Sequence, residues 1–145
     1  MRTDLIRSLS LAALAVAAGA AIGCGTASTP AITATKEITL QRAGDLAISL
    51  QSETGELTQG QNRFIVAFRS AGSNQPVDAG KVTIGASMTM PGMAPMVAEM
   101  ELKKSGTPGA YAATGDFRMS GGWHFEVRWD GPAGQGSSSF VTNVR

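Results

Sequence analysis

The sequence has few of the side chains on which covalent and acid–base catalysis most often depend. It contains one cysteine, Cys24, and one histidine, His124, among its 145 residues. A lone cysteine cannot form an internal disulfide. A Ser-His-Asp arrangement would have to recruit His124, and no nucleophile-elbow motif lies near it. The carboxylates are scattered, and a glycine-rich phosphate-binding loop is absent. We therefore expect a protein that is not an enzyme.

An excess of charge of one sign is also lacking. Lys and Arg together number 12 and Asp and Glu number 11, which gives a formal net charge of +1. A nucleic-acid-binding domain normally carries a basic patch, and so does a segment that binds anionic lipid. The balance of charges therefore predicts no nucleic-acid partner.

Long hydrophobic runs are missing as well, apart from one near the amino terminus. The run from Leu9 to Ile22 is too short to span a bilayer comfortably. Arg2 and Arg7 precede this run, and small residues end it. These are the three parts of a secretory signal peptide, so we predict one at residues 1–23. A buried core helix and a membrane anchor are the alternative interpretations.

Cys24 directly follows the apolar run. The string Ala21-Ile22-Gly23-Cys24 resembles the bacterial lipobox, in which a small residue precedes a cysteine that becomes lipidated. The alternative is ordinary cleavage near Ala18-Gly19-Ala20, with no role for Cys24. Residues 24–37 are then predicted to be the lipidated cysteine and a flexible tether. The protein would be an exported, membrane-anchored lipoprotein facing the periplasm or the cell exterior.

Residues 38–145 are predicted to form a single domain. Apolar and polar residues alternate there in segment after segment, and Gly- and Pro-containing turns separate the segments. This pattern predicts an all-β domain, an immunoglobulin-like antiparallel β-sandwich of about seven strands, with a barrel as the alternative. The alternating segments are Leu46–Gln51, Phe64–Arg69, Val82–Met90, Ala98–Lys103, Tyr111–Met119, Trp123–Trp129 and Phe140–Val144.

Methionine is unusually dense between residues 88 and 100, where it occupies five of thirteen positions. Thioether sulfur is a soft ligand that suits Cu(I). The alternation places Met88, Met90, Met100 and Met119 among the inward-facing residues, where methionine often fills a core. Met93 and Met96 are instead expected on a loop bracketed by prolines.

The candidate metal ligands follow from this distribution. The loop methionines are the first choice, and neighbours could join them if the loop folds back. His124 is predicted on the polar face of its strand and is a candidate nitrogen donor, although a lone exposed histidine usually binds nothing. The complete set is Met90, Met93, Met96, Met119 and His124.

Three motifs in order resemble the YtkA-like domain family. They are Met90-Pro91-Gly92-Met93, Pro108-Gly109-Ala110-Tyr111, and the segment 117–127 with its Phe-x-Met-x-Gly-x-Trp pattern. The resemblance covers roughly residues 45–144. It implies an immunoglobulin-like sandwich in exported bacterial proteins, some of them associated with heavy-metal efflux adaptors, and no established enzymatic activity. Relatives often carry histidine beside the Met-Pro-x-Met turn, where this chain has Ala94 and Pro95.

Two functions remain open at this point. The first is an accessory module in copper handling or efflux that binds Cu(I) through the methionines. The second is a protein–protein interaction module of the cell envelope with no metal of its own, because exposed methionines also suit adaptable protein contacts. In either case the expected partners are the membrane, through the lipid anchor, and an envelope efflux or metal-transport protein.

Overall fold

The structure is a computed structural model that describes residues 36–145. The predicted signal peptide, Cys24 and most of the predicted tether lie outside the described residues. Within residues 36–145 every regular element is a strand, so no helix here could cross a membrane. The strands are β1 (Lys36–Ala43), β2 (Leu46–Ser52), β3 (Gly60–Ser70), β4 (Lys81–Met88), β5 (Met96–Val97), β6 (Glu99–Lys104), β7 (Ala110–Phe117), β8 (Gly121–Gly131) and β9 (Gly134–Val144).

The strands form two antiparallel sheets that pack face to face. The five-stranded sheet has the order β1-β2-β3-β7-β6, and the four-stranded sheet has the order β5-β4-β8-β9. This arrangement confirms the predicted all-β sandwich. Residues 36–145 form nine strands rather than the expected seven, because β1 and the two-residue β5 were not predicted as strands.

Large aromatic side chains fill the space between the sheets. Phe64, Phe117, Trp123 and Phe125 are fully buried. Phe64 and Phe117 come from the five-stranded sheet, and Trp123 and Phe125 come from the other, so each ring meets a partner across the sandwich. The ring centroids of Phe117 and Trp123 are 5.2 Å apart, and those of Phe64 and Phe125 are 6.4 Å apart. Burial of each such ring stabilises the fold by about 2–3 kcal/mol.

The first strand begins earlier than the expected domain boundary at residue 38. β1 starts at Lys36, which pairs with Ser52 of β2. The two residues Lys36 and Glu37 therefore belong to the sheet rather than to the predicted tether. β1 lies at the edge of the sheet, and its side chains are exposed or half-buried. Its large apolar residues are only Ile38 and Leu40, so its polar–apolar alternation is short.

One continuous segment joins the two sheets. β5 pairs with β4 in the four-stranded sheet, and β6 pairs with β7 in the five-stranded sheet. Ala98 lies between them, and its backbone N–H donates a 2.9 Å hydrogen bond to the carbonyl of Ala86. The chain therefore crosses from the four-stranded to the five-stranded sheet at Ala98, and the rest of the strand predicted from Ala98 to Lys103 is β6.

The strand directions define two ends of the sandwich. One end, which we call the methionine end, carries the β2–β3 loop (53–59), the β4–β5 loop (89–95) and the β7–β8 turn (118–120). Two of these segments touch, since Gln59 Nε2 donates a 2.9 Å hydrogen bond to the carbonyl of Arg118. The opposite end carries the β3–β4 loop (71–80) and the β6–β7 turn (105–109).

Candidate functional site

The β4–β5 loop opens with a β-turn at Met90-Pro91-Gly92-Met93. The backbone N–H of Met93 donates a 3.2 Å hydrogen bond to the carbonyl of Met90, and Gly92 has a φ of +77°. Proline at the second position and a positive-φ glycine at the third are the requirements of a type II turn. Met93, the last residue of the turn, is 61% exposed.

The methionines on either side of this turn have mainly a packing role. Met88 is buried, and it pairs across β4 and β5 with Met96. Met90 and Met96 are partly buried and pack against the core, as does Met100 in β6. The prediction that Met88, Met90 and Met100 face inward is thus confirmed. The expectation that Met96 lies on the loop is wrong. Met96 pairs with Met88 of β4, so it belongs to the strand β5.

Met119 is the second methionine with a solvent-facing side chain. It is 39% exposed, so the prediction that it faces the core is wrong. β7 ends at Phe117, and the alternation stops there because the chain turns. Gly121 opens β8 with a φ of +129°, and a Cβ at that position would lie 2.9 Å from Met88 Cε. The turn therefore favours glycine for its conformation, while the Met88 methyl group could shift to admit a Cβ.

His124 lies on the outer face of the four-stranded sheet, as predicted. It pairs with Ser87 of β4 and with Val141 of β9, and Ser87 pairs in turn with Val97 of β5. These residues form a row across all four strands. His124 is exposed, and so are Val97 and Val141. The row lies next to the methionine end, one step along β8 from Trp123.

The fold thus brings all five predicted ligands to the same end of the sandwich, but in two groups. Met93, Met119 and His124 reach solvent, whereas Met90 and Met96 contribute to the core. Within residues 36–145 no cluster of three or more His, Cys, Asp or Glu side chains is placed to hold a metal ion. Cys24 lies outside the described residues.

A polar network at the opposite end was not predicted. The Tyr111 hydroxyl donates hydrogen bonds to the Gly80 carbonyl at 2.9 Å and to Asp78 Oδ1 at 3.2 Å. Asp78 also accepts from the Gly80 N–H at 2.9 Å and from Lys104 Nζ at 2.9 Å. These contacts tie the β3–β4 loop to β6 and β7. The Asp-x-Gly spacing before β4 is the sequence signal for such a local carboxylate–backbone bond.

The network shifts the titration of its members. The Gly80 N–H and then Lys104 lower the pKa of Asp78 below its ordinary value of 3.8. The hydrogen bond to Asp78 raises the pKa of Lys104. Burial, followed by the nearby Asp78 charge, raises the pKa of Tyr111. Every hydrogen-bonding group in the network has a partner within it, so we assign it a structural role.

No curated protein matches the chain. Among solved structures, a DUF4426 family protein from Pseudomonas aeruginosa PAO1 is similar, with 15% sequence identity and a TM-score of 0.45. The alignment covers 72% of this chain and 94% of that one.

The family comparison is more informative. The YtkA-like family matches residues 40–128, from within β1 to within β8. That span includes the Met-Pro-Gly-Met turn, the Pro-Gly-Ala-Tyr segment and the whole of the third motif. It also covers more than half of the chain. The chain belongs to the YtkA-like family.

Proposed function

We propose that this protein is a non-enzymatic, lipid-anchored module of the bacterial envelope with an accessory role in copper handling or efflux, and that it binds Cu(I) at the methionine end. The observation that carries the proposal is the placement of Met93 and Met119. These two side chains lie on different loops of one end of the sandwich, and both reach solvent.

The donor set fits a soft, monovalent ion. Thioethers carry no charge, and Cu(I) accepts a small number of soft, neutral ligands. Met90 and Met96 lie at the same end of the sandwich and are partly accessible. His124 could add a nitrogen ligand from the adjacent sheet face. Hard divalent cations prefer carboxylate and carbonyl oxygens, and clustered carboxylates are absent from this end among the described residues.

A competition titration with a Cu(I)-specific chelator tests the proposal. The full-length chain is compared with Met93→Leu/Met119→Leu, because leucine keeps the apolar volume and removes the sulfur. We expect the double variant to lose binding by at least about tenfold. Met100→Leu is the matched control. Met100 packs against the core from β6 of the five-stranded sheet, so this variant should bind Cu(I) like the wild type. Equal binding by all three proteins would contradict the proposal.

The same titration at lower pH separates thioether from imidazole ligation. Thioethers do not protonate at mildly acidic pH, whereas imidazole does. We expect Cu(I) affinity to change little between pH 7 and pH 5 in the wild type and in His124→Gln. The wild type could instead lose affinity at pH 5, and His124→Gln could show the same loss already at pH 7. That result would assign the main ligand to His124.

A second candidate function is docking to another envelope protein without a metal. The observation that favours it is the clustering of exposed apolar residues. Of the five large apolar side chains that are exposed within residues 36–145, four lie at or beside the methionine end, and such clusters often mark interaction sites. The four are Met93, Val97, Met119 and Val141.

Pull-down from native membranes with a copper chelator present tests this second function. We expect Val97→Lys/Val141→Lys to lose a partner that the wild type retains, because lysine places a charge in the apolar row. Met93→Leu/Met119→Leu should retain it, since the sulfur atoms are not required. If no specific protein is recovered with the wild type, the docking function is contradicted.

The lipid anchor is tested separately. In cells fed an alkyne-bearing fatty acid, the wild type should become labelled and sediment with membranes. Cys24→Ser should be unlabelled. Unchanged labelling of Cys24→Ser would contradict lipidation of Cys24.

A further inference from the structure

The outer face of the five-stranded sheet carries a groove that is separate from the methionine end. Its volume is about 700 Å³. The floor consists of small or apolar residues of the two central strands β3 and β7. In the register of these strands, Ala67 lies opposite Ala110, and Ile65 lies opposite Ala112. Because three of the four residues are alanines, the floor lies below the longer side chains around it.

The groove has a wall at one end and basic side chains along its rim. The β6–β7 turn and Pro76 form the wall. Arg63 and Arg69 lie at the two ends of the floor on β3, and Lys103 lies beside Ala112 in the pairing of β6 with β7.

The basic side chains of the rim are largely available to a ligand. Within residues 36–145, no carboxylate forms an ion pair with Arg63 or Arg69, and Arg69 donates only to the backbone carbonyl of Asn74, at 3.2 Å. Glu101 is the acidic residue of the lining, and it lies 3.7 Å from Lys103 with both side chains exposed. An exposed pair of this kind contributes little and is easily exchanged. The rim therefore carries a net positive charge.

The spacing of the charges indicates the shape of the ligand. Arg63 and Arg69 are six residues apart on one strand, which corresponds to about 20 Å. An extended peptide of about seven residues has the same length. A ligand with a single anionic headgroup could reach only one of the two arginines, whereas a peptide with a carboxylate near each end could reach both.

We propose that this groove binds an extended acidic segment of a partner protein, with small apolar residues over the alanine floor and a carboxylate near each arginine. Charge complementarity between the rim and the carboxylates supplies the orientation. The alternation of side chains in an extended peptide directs every second residue toward the floor. This binding does not depend on the methionine end or on a metal.

Fluorescence anisotropy of labelled heptapeptides tests the proposal on the full-length chain in a neutral detergent. The probes are Glu-Ala-Val-Ser-Val-Ala-Glu and its twin with lysine at both ends. We expect saturable binding of the acidic peptide that is at least about tenfold tighter than that of the lysine twin and that weakens with added salt. Arg63→Gln/Arg69→Gln should lower the affinity by about tenfold or more. The control Lys81→Gln/Arg128→Gln, on the outer face of the other sheet, should leave it unchanged.

A second variant addresses the floor. Ala112→Leu fills the groove at a half-buried strand position and leaves every charge in place, so it should also weaken the acidic peptide. Equal affinity for the two peptides, no saturable binding of either, or no effect of the arginine substitutions would overturn the proposal. Binding to phosphatidylglycerol vesicles that depends on Arg63 and Arg69, without peptide binding, would overturn it in favour of a lipid ligand.

Discussion

The indole Nε1 of Trp123 donates a 3.0 Å hydrogen bond to the backbone carbonyl of Met119. Trp123 is fully buried, and its ring meets that of Phe117 at an interplanar angle of 70°. Phe117 ends β7, and Trp123 lies near the start of β8. The Trp123 side chain therefore contacts the end of β7 and the β7–β8 turn as well as the core. The backbone of Met119 is held, while its thioether remains accessible to solvent.

Trp123→Phe should destabilise the protein by about 2 kcal/mol. The substitution leaves part of the indole volume empty and removes the hydrogen bond to the Met119 carbonyl. Urea denaturation followed by circular dichroism measures the change in the free energy of unfolding. Met119→Leu is the matched control, because the carbonyl stays in place and the side chain is exposed, so it should lie within about 0.5 kcal/mol of the wild type. Equal losses for the two variants would contradict a role for the indole.

Thr142→Val should stabilise the protein by about 1 kcal/mol. Thr142 pairs with Trp123 across β8 and β9, and its side chain is buried between the sheets. Within residues 36–145 its hydroxyl is the buried side-chain group with no hydrogen-bond partner. Replacing that hydroxyl with a methyl group of similar shape removes a desolvation cost. We expect the melting temperature to rise by about 3–6 °C in differential scanning calorimetry.

The control for Thr142→Val is the same substitution at an exposed position. Thr83 lies on the outer face of β4, and Thr83→Val should change the free energy of unfolding by less than about 0.5 kcal/mol. A destabilised Thr142→Val would show that the hydroxyl has a partner that valine cannot replace.

The network around Asp78 should make stability depend on pH at both extremes. The pKa of Asp78 is lowered in the fold, so its contribution is present above the ordinary value of 3.8 and is lost as the pH falls through the lowered value. The pKa of Tyr111 is raised, so its contribution is present below the ordinary value of 10.0 and is lost as the pH rises above it. The pKa of Lys104 is also raised, so its contribution to stability is likewise lost at high pH.

Asp78→Asn tests the acidic side of this profile. The variant should be less stable than the wild type at pH 7, and the difference should shrink as the pH falls from about 5 to about 2. Urea unfolding at a series of pH values measures it. Glu101→Gln, which removes an exposed carboxylate outside the network, should run parallel to the wild type. A difference between Asp78→Asn and the wild type that stays constant down to pH 2 would contradict the assignment.

The sequence predicts the strands with buried faces well. Among the edge strands it predicts β6 and the second half of β9, but not β1 or β5. In β2, β3 and β8 the strict alternation of large apolar and polar residues identified both the strand and its inward face. β1 and the first half of β9 lack that signal. The large apolar residues of β1 are only Ile38 and Leu40, and residues 134–139 contain only Gly, Gln and Ser. Their strand structure depends on pairing with β2 and β8 rather than on their own side chains.

The methionines show where alternation fails to predict exposure. Met88, Met90 and Met100 face inward as the pattern indicates, but Met119 does not, because β7 has already ended at Phe117. Met96 was expected on a loop, and the pairing with Met88 places it in a strand instead. Alternation assigns a face only where the chain remains extended, and the ends of strands depend on turns and on contacts that are distant in sequence.

The central claim is that the exposed thioethers of the methionine end bind Cu(I). Nuclear magnetic resonance of ¹³C-methyl-labelled methionine during a Cu(I) titration tests it most directly, since it reports on each sulfur-bound methyl group. We predict that the Met93 and Met119 methyl resonances shift and saturate at one equivalent of Cu(I), while those of Met88 and Met100 stay in place. Methyl resonances of Met93 and Met119 that remain unchanged with Cu(I) in excess would contradict the claim.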